Sequence, residues 1–432
     1  MISKLPLFVL ILYTACFSQN YVLDSIPEDV RRLIDFEANK LENVENAPTF
    51  QKFFKKLDNI YEGKQEKLHI FHIGGSHIQA DFYSNKLRTY FHNMNDSSMG
   101  QRGFVFPYHL AHTNNPLSYR VSANRDLWTG YRCSVTKDSI TWGMSGITAA
   151  FRESMDTIYI KANHKNETKK PYQFDALKVF YNTWKDDYRL RFLDSTLVLK
   201  DTIDQKHFYK KYYFNRKVDS IAIEIQVKDS TKLNPEFLLM GLELENPHLK
   251  GIEYTTLGVN GASFPWLNRS IYLERQLSMY HPDLFIISIG TNDAYKKAED
   301  FDPEKFRFYY KSFIQMIQRI NPDCAILLTV PNDDYYRRRY PNKNTAIQQE
   351  IIGELAQEYN MAVWDLYKIM GGLGSSHKWY KKHLMIRDRI HFTQLGYSIK
   401  GDLLMEALVK AWAQSTKREE NHLLNHFKHL NE

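Results

Sequence analysis

The sequence predicts an α/β protein, a parallel sheet flanked by helices, interrupted by an inserted β-rich domain. Three observations carry this. Late in the chain, apolar runs at 284–289 and 325–330 alternate with amphipathic helical segments, as strands buried on both faces of a parallel sheet do. A similar run at 67–73 stands far upstream and ends in Gly74-Gly75-Ser76. Between these parts, from about 119 to 245, the helical period fades and short alternating segments replace it.

In chain order, residues 1–4 are short and basic and 5–15 are mostly apolar. This fits a secretory signal over 1–19, too short to span a bilayer as a helix, so a periplasmic or secreted protein is expected. Cys16 raises a lipoprotein anchor as the alternative, with Tyr13 a poor residue for that signal. Segments 30–41 and 50–61 read as helices, 67–73 as a strand, and a helix starts at Ser76 and runs through Leu87. Alternating runs at 157–161, 177–181, 195–200, 220–226 and 237–244 suggest a β-sandwich or jelly roll. Strands follow at 251–257, 284–289, 325–330 and 361–366, with helices at 267–279, 301–320, 345–359 and 395–412. Asp302-Pro303-Glu304 is a helix-entry signal. The polar tail 416–432 reads as frayed or as a surface helix.

The chain has 432 residues, 43% hydrophobic and 25% charged, which places it among folded globular proteins of about two domains. The net charge of +7 is scattered and accompanies no nucleic-acid motif, so no nucleic-acid partner is expected and at most a weak preference for anionic polymers. Apart from Cys16 only Cys133 and Cys324 remain, too few for a disulfide framework, and no Cys/His spacing suits a metal. No cofactor motif is present, and no later segment is apolar enough to span a membrane.

Three separated blocks carry chemistry: Gly74-Gly75-Ser76-His77, Gly290-Thr291-Asn292-Asp293 and Asp388-Arg389-Ile390-His391. Ser76 lies at a strand–turn–helix junction, at the carboxyl end of a parallel sheet where such folds place their sites. A serine hydroxyl needs a base. His391, before the last helix and three residues after Asp388, is the candidate, with Asp388 orienting it. Asn292 follows the most apolar strand and can donate to an oxyanion, as can the backbone N–H groups of Gly261 and Ser76. Each signal alone has an ordinary reading: a helix cap for Ser76, a turn for Asn292, a loop glycine for Gly261 and a surface pair for Asp388 and His391. Their joint order is far more specific. Asp333, Asp334 and Tyr335 follow the strand at 325–330 and read either as substrate contacts or as a solvated acidic turn facing Arg337–Arg339. Trp128, Trp142 and Trp184 could stack on sugar rings, although core positions suit most of them.

These blocks, with Gly258-Val259-Asn260-Gly261, resemble those of the SGNH (GDSL-type) hydrolases. The resemblance implies a flavodoxin-like SGNH sheet, Ser76 as nucleophile, His391 as base, Asp388 as its partner, and Ser76, Gly261 and Asn292 as oxyanion donors. One departure is Gly75, where the family usually has Asp. The β-domain inserted after the serine block, the stretch 77–81 and the segment 103–111 resemble the Ape-type peptidoglycan O-acetylesterases, whose insert is similar to a carbohydrate-binding module. The expected organisation is a hydrolase domain over 20–110 and 250–414, an insert over 111–249 and a polar tail over 415–432. The expected activity is removal of O-acetyl groups from a polysaccharide, with peptidoglycan the leading substrate. An O-acetyltransferase on an envelope glycan and a non-catalytic glycan-binding protein are the alternatives.

Overall fold

A computed structural model describes residues 26–164 and 171–430; the predicted signal segment and Cys16 lie outside them. The central sheet has six strands: β1 (Leu41–Glu42), β2 (Lys67–Gly74), β3 (Gly251–Gly258), β4 (Leu284–Ser288), β5 (Ala325–Val330) and β6 (Ala362–Asp365). Their spatial order is β1-β6-β5-β4-β2-β3, parallel throughout except for the antiparallel edge strand β1. Helices α1 (Pro48–Tyr61), α2 (Ser76–Gln79), α3 (Phe82–Asn93), α4 (Thr291–Ala294), α5 (Pro303–Ile320), α6 (Asn344–Glu358), α7 (Gln394–Thr416) and α8 (Glu420–His429) follow in chain order.

The period of two along each strand sorts side chains between two cores. Leu68 and Ile70 of β2 join Ile286 of β4 in a core covered by α1, α3 and α7. Phe71 and Ile73 of β2 face the other way, into a core shared with Phe313 and Ile317 of α5 and with the β-rich insert. Asp302 starts α5 as the sequence predicts, its carboxylate accepting from the Lys305 N–H.

Among the described residues the insert forms two antiparallel sheets, one of seven strands and one of four. Gly103–Val105, expected within the hydrolase part, instead pairs with Phe237–Glu245 of the insert in register Leu242↔Val105. The Phe104 ring lies against Gly241, where a Cβ would meet its Cζ at 2.1 Å. Insert strands therefore begin nearer residue 103 than 111.

Other expectations fail where tertiary pairing overrides local pattern. Segment 30–41 is not one helix: a single turn, Glu28–Arg31, gives way to turns, and Leu41 pairs with Trp364 as a sheet edge. Segment 267–279 breaks into Phe264–Leu267 and Leu273–Leu277. The helix expected from Ser76 through Leu87 is broken at Asp81, which adopts φ +53°. The polar tail is not frayed; it is the surface helix that the sequence offered as the alternative. Its α8 buries Leu423, Leu424 and Phe427, spaced to share one face, and Phe427 packs against Trp412 of α7. Among the described residues no helix is long and apolar enough to cross a membrane.

Candidate active site

The nucleophile turn is held by close backbone packing. A Cβ at Gly74 would stand 2.3 Å from Ile78 Cγ1, and one at Gly258 would stand 2.1 Å from the Gln79 nitrogen. Only glycine lets α2 sit directly on the ends of β2 and β3. Ser76 is the first residue of α2, and its hydroxyl points over the carboxyl edge of the sheet.

There the structure joins residues 315 positions apart. Ser76 Oγ lies 2.8 Å from His391 Nε2. His391 Nδ1 lies 2.8 Å from Asp388 Oδ2. The second carboxylate oxygen accepts from the backbone N–H groups of Ile390 at 2.9 Å and His391 at 3.0 Å. Burial alone would raise the Asp388 pKa, but the His391 ring and these two N–H groups outweigh it and hold the carboxyl below its ordinary value. An ionised Asp388 fixes His391 with Nδ1 as donor, leaving Nε2 to accept from the serine hydroxyl.

The three donor residues that the sequence nominates, Ser76, Gly261 and Asn292, line one cleft. Asn292, in α4 after β4, spends one amide hydrogen on the Ala262 carbonyl at 2.9 Å and keeps the other. Among the described residues, the N–H groups of Ser76 and Gly261 donate to no backbone acceptor. Gly261 has φ +79° and is exposed. A Cβ at Gly75 would meet Asn292 Nδ2 at 3.2 Å, so glycine here leaves that amide room.

These groups line a cleft of about 560 Å³ whose other walls include Tyr295, Ile386, Ile390 and, from the insert region, Asn114. Buried Gln79 ties the walls together. Its Nε2 donates to Thr113 Oγ1 at 2.9 Å and to the Asn114 carbonyl at 3.0 Å, and its Oε1 accepts from the Asn260 N–H at 2.8 Å. Ser134 Oγ donates to the Asn260 carbonyl at 2.7 Å. The loop carrying Gly261 is thus pinned from both α2 and the insert.

Beneath the turn, Asp81 is fully enclosed. It accepts from Ser84 Oγ at 2.7 Å, from both terminal nitrogens of Arg88 at 3.0 and 3.1 Å, and from Ser118 Oγ at 2.9 Å. Burial opposes its ionisation, but Arg88 and Arg102 hold the carboxyl below its ordinary value. This cluster is what breaks the helix expected through Leu87.

Sequence reasoning passed over several residues. The His77 ring stacks on His391 with centroids 5.2 Å apart, and its Nδ1 lies 3.1 Å from the Tyr397 hydroxyl. Burial and the nearby Lys400 push the His77 pKa well down, so the ring beneath the base is neutral. Lys400, itself buried, stands 4.2 Å from the Tyr83 ring centroid. The only signal was position: His77 follows the serine, and Tyr397 and Lys400 fall in the helix after the His391 block.

Asp333 and Asp334 fit neither expectation, since both are fully buried. Asp333 accepts from the Ser376 N–H and hydroxyl at 2.9 and 2.7 Å, and Asp334 accepts from Asn342 Nδ2 at 3.2 Å. Tyr335 starts a small hairpin and packs under Arg389. Of the insert's tryptophans, Trp128 and Trp142 are core, while Trp184 is 44% exposed and packs edge-on against Phe208 and Tyr272.

With this geometry in place, comparison with known proteins is decisive for the fold. The chain matches the solved structure of a peptidoglycan O-acetylesterase in action with a TM-score of 0.68 at 18% identity, over 86% of this chain and 97% of that one. The profile of the GDSL-like Lipase/Acylhydrolase family matches residues 219–399. The fold is that of an SGNH hydrolase. The matched span includes Asn292, Asp388 and His391, while Ser76 stands upstream of the insert. Smaller matches include an acetyl xylan esterase, at 24% identity over 36% of this chain and 81% of that one with a TM-score of 0.30. Another is a family two carbohydrate esterase from Cellvibrio japonicus, at 11% identity over 68% of this chain and 99% of that one with a TM-score of 0.28. No curated protein matches the sequence.

Proposed function

We propose that this protein is an exported serine esterase that removes O-acetyl groups from a polysaccharide, with peptidoglycan the leading substrate. The observation that carries the reading is the unbroken hydrogen-bonded chain from Ser76 through His391 to Asp388, opening on a cleft with three convergent donors. Ser76 Oγ attacks the acetyl carbonyl carbon while His391 Nε2 takes its proton. The Asn292 amide and the N–H groups of Ser76 and Gly261 receive the developing oxyanion, each such donor contributing about 10²–10³ in rate. His391 returns the proton to the departing sugar oxygen and leaves an acetyl-serine. Water then attacks that ester, its proton passing to His391, and acetate departs as the serine oxygen is reprotonated.

The His391 side chain is 35% exposed, which leaves the base open to the water that the hydrolytic step needs. The choice of peptidoglycan is supported by the family resemblance and by the fold relative's being a peptidoglycan O-acetylesterase. Export is supported by the pattern of residues 1–19.

The test is acetate release from O-acetylated peptidoglycan, wild type against Ser76→Ala, with acetylated xylan in parallel. Release by the wild type and loss in the variant, at equal folding by circular dichroism, is the expected result. Equal release by both proteins would sink the mechanism.

A further inference from the structure

The rim of the cleft carries positive charge that the protein leaves unneutralised. A hairpin pairs Tyr335–Tyr336 with Tyr340–Pro341, and Arg337, Arg338 and Arg339 form its exposed turn. The hairpin is fastened to the site at two points. The Arg337 N–H donates to the hydroxyl of cleft-lining Tyr295 at 2.9 Å, and the Tyr295 ring packs edge-on against Tyr336. From the other side Arg389, between Asp388 and His391 in the chain, lies 3.9 Å from the Tyr335 ring centroid and donates to the Arg338 carbonyl.

Three facts bear on what these arginines are for. The acidic residues beside them in sequence are turned inward and occupied, Asp333 by Ser376 and Asp334 by Asn342, while Asp388 is committed to His391. Among the described residues, none of Arg337, Arg338 and Arg339 has a carboxylate partner, whereas exposed Arg319 and Arg216 are ion-paired. Finally, Arg337 and Arg338 both have positive φ, +51° and +60°. The turn closes with the Arg339 N–H donating to the Tyr336 carbonyl at 3.0 Å. Tight hairpin turns with positive φ at both central positions favour Asn and Gly. The turn's own geometry therefore does not select arginine, and strained residues of this kind cluster at ligand-binding sites.

We propose that this arginine turn is a specificity element that binds the carboxylates of an anionic, O-acetylated polysaccharide while its acetyl ester lies at Ser76. The inference rests on the esterase reading above and narrows its substrate class. Guanidinium groups suit it because each can hold a carboxylate through two parallel hydrogen bonds. Adjacent arginines match a polymer with repeated charges better than a single small anion.

The experiment compares wild type with Arg337→Asn/Arg338→Gly, which places turn-favoured residues at both positions, and with Arg337→Lys/Arg338→Lys, which keeps the charge. Substrates are O-acetylated peptidoglycan, acetylated polygalacturonate, neutral acetylated xylan and 4-nitrophenyl acetate. In the Asn/Gly variant KM for the carboxylate-bearing glycans should rise about tenfold, the scale of two exposed ion pairs, with kcat unchanged. That rise should shrink as salt is added. Xylan and 4-nitrophenyl acetate should be turned over as by the wild type, and the lysine variant should recover part of the lost affinity. A rise on only one of the two anionic glycans identifies which polymer supplies the carboxylates. Unchanged KM on both, or an equal rise on xylan, overturns the proposal. Ser76-dependent hydrolysis of 4-nitrophenyl acetate with no anionic preference would overturn this inference alone, whereas no hydrolysis of any ester by the wild type would overturn the esterase reading as well.

Discussion

On the nucleophile side of the cleft, the carboxylate of Asp81 is enclosed by Arg88, Ser84 and Ser118, and the Arg88 guanidinium is spent on it. At the hairpin held by Tyr295 the arrangement is reversed: Arg337–Arg339 are exposed and the nearby carboxyl groups of Asp333 and Asp334 are buried. The same two residue types, Asp and Arg, thus serve different ends. Beneath Ser76 they are paired and dry, which fixes the turn that aims the hydroxyl. At the hairpin they are separated, which leaves charge available to something outside the protein.

Disrupting the enclosed side should have the largest effect. Asp81→Ala leaves Arg88 buried without its carboxylate, and breaking one partner of a buried pair costs about 3–5 kcal/mol. Chemical denaturation should show that loss. A cost below about 1 kcal/mol would mean that the cluster does not hold the turn.

A smaller and more local effect is expected at Gln79. Gln79→Ala frees the loop bearing Gly261 from α2 and from the insert, so kcat on a small acetyl ester should fall about tenfold while KM changes little. The fall should come without a matching loss of melting temperature. If kcat is unchanged, the donors do not depend on that network.

The last effect belongs to the hairpin side and depends on pH. Burial, reinforced by Asp333 and Asp388, pushes the Asp334 pKa up to about 8 from an ordinary 3.8, against the pull of its Asn342 hydrogen bond. Because the folded state holds this proton more tightly than the unfolded one, its contribution to stability is fully present at low pH and is lost as pH rises through about 8. Asp334→Asn removes the titrating group and keeps an acceptor for Asn342. Its melting temperature relative to wild type should therefore climb between pH 5 and pH 8, and a flat difference across that range would show that Asp334 ionises freely.

Much of the candidate site was legible because it lies at strand ends. An apolar run followed by Gly-Ser or Gly-Thr-Asn marks the carboxyl edge of a buried parallel strand, and that edge is where side chains from distant segments meet. Ser76 and Asn292 were readable on this ground, and Asp388 and His391 from their spacing of three just before the last helix. Asp333 and Asp334 were not, because an Asp-Asp beside three arginines looks solvated until the partners Ser376 and Asn342 are seen. Gln79 and Asp81 stood in a helical segment with no local signal of their roles, since their partners Thr113, Asn260, Arg88 and Ser118 come partly from the insert region.

By itself the sequence determined the alternation of buried strands and helices, the place of the β-rich insertion and the residue types of the candidate site, because these depend on short-range periodicity and on turn chemistry. The tertiary structure decided the rest. It brought Ser76 within 2.8 Å of His391, broke the helix at Asp81, docked the polar tail through Leu423 and Phe427, and turned two aspartates inward while leaving three arginines outside. The physical reason is common to all of these: burial and the pairing of polar groups are settled between segments far apart in the chain, and no local window of sequence contains both partners.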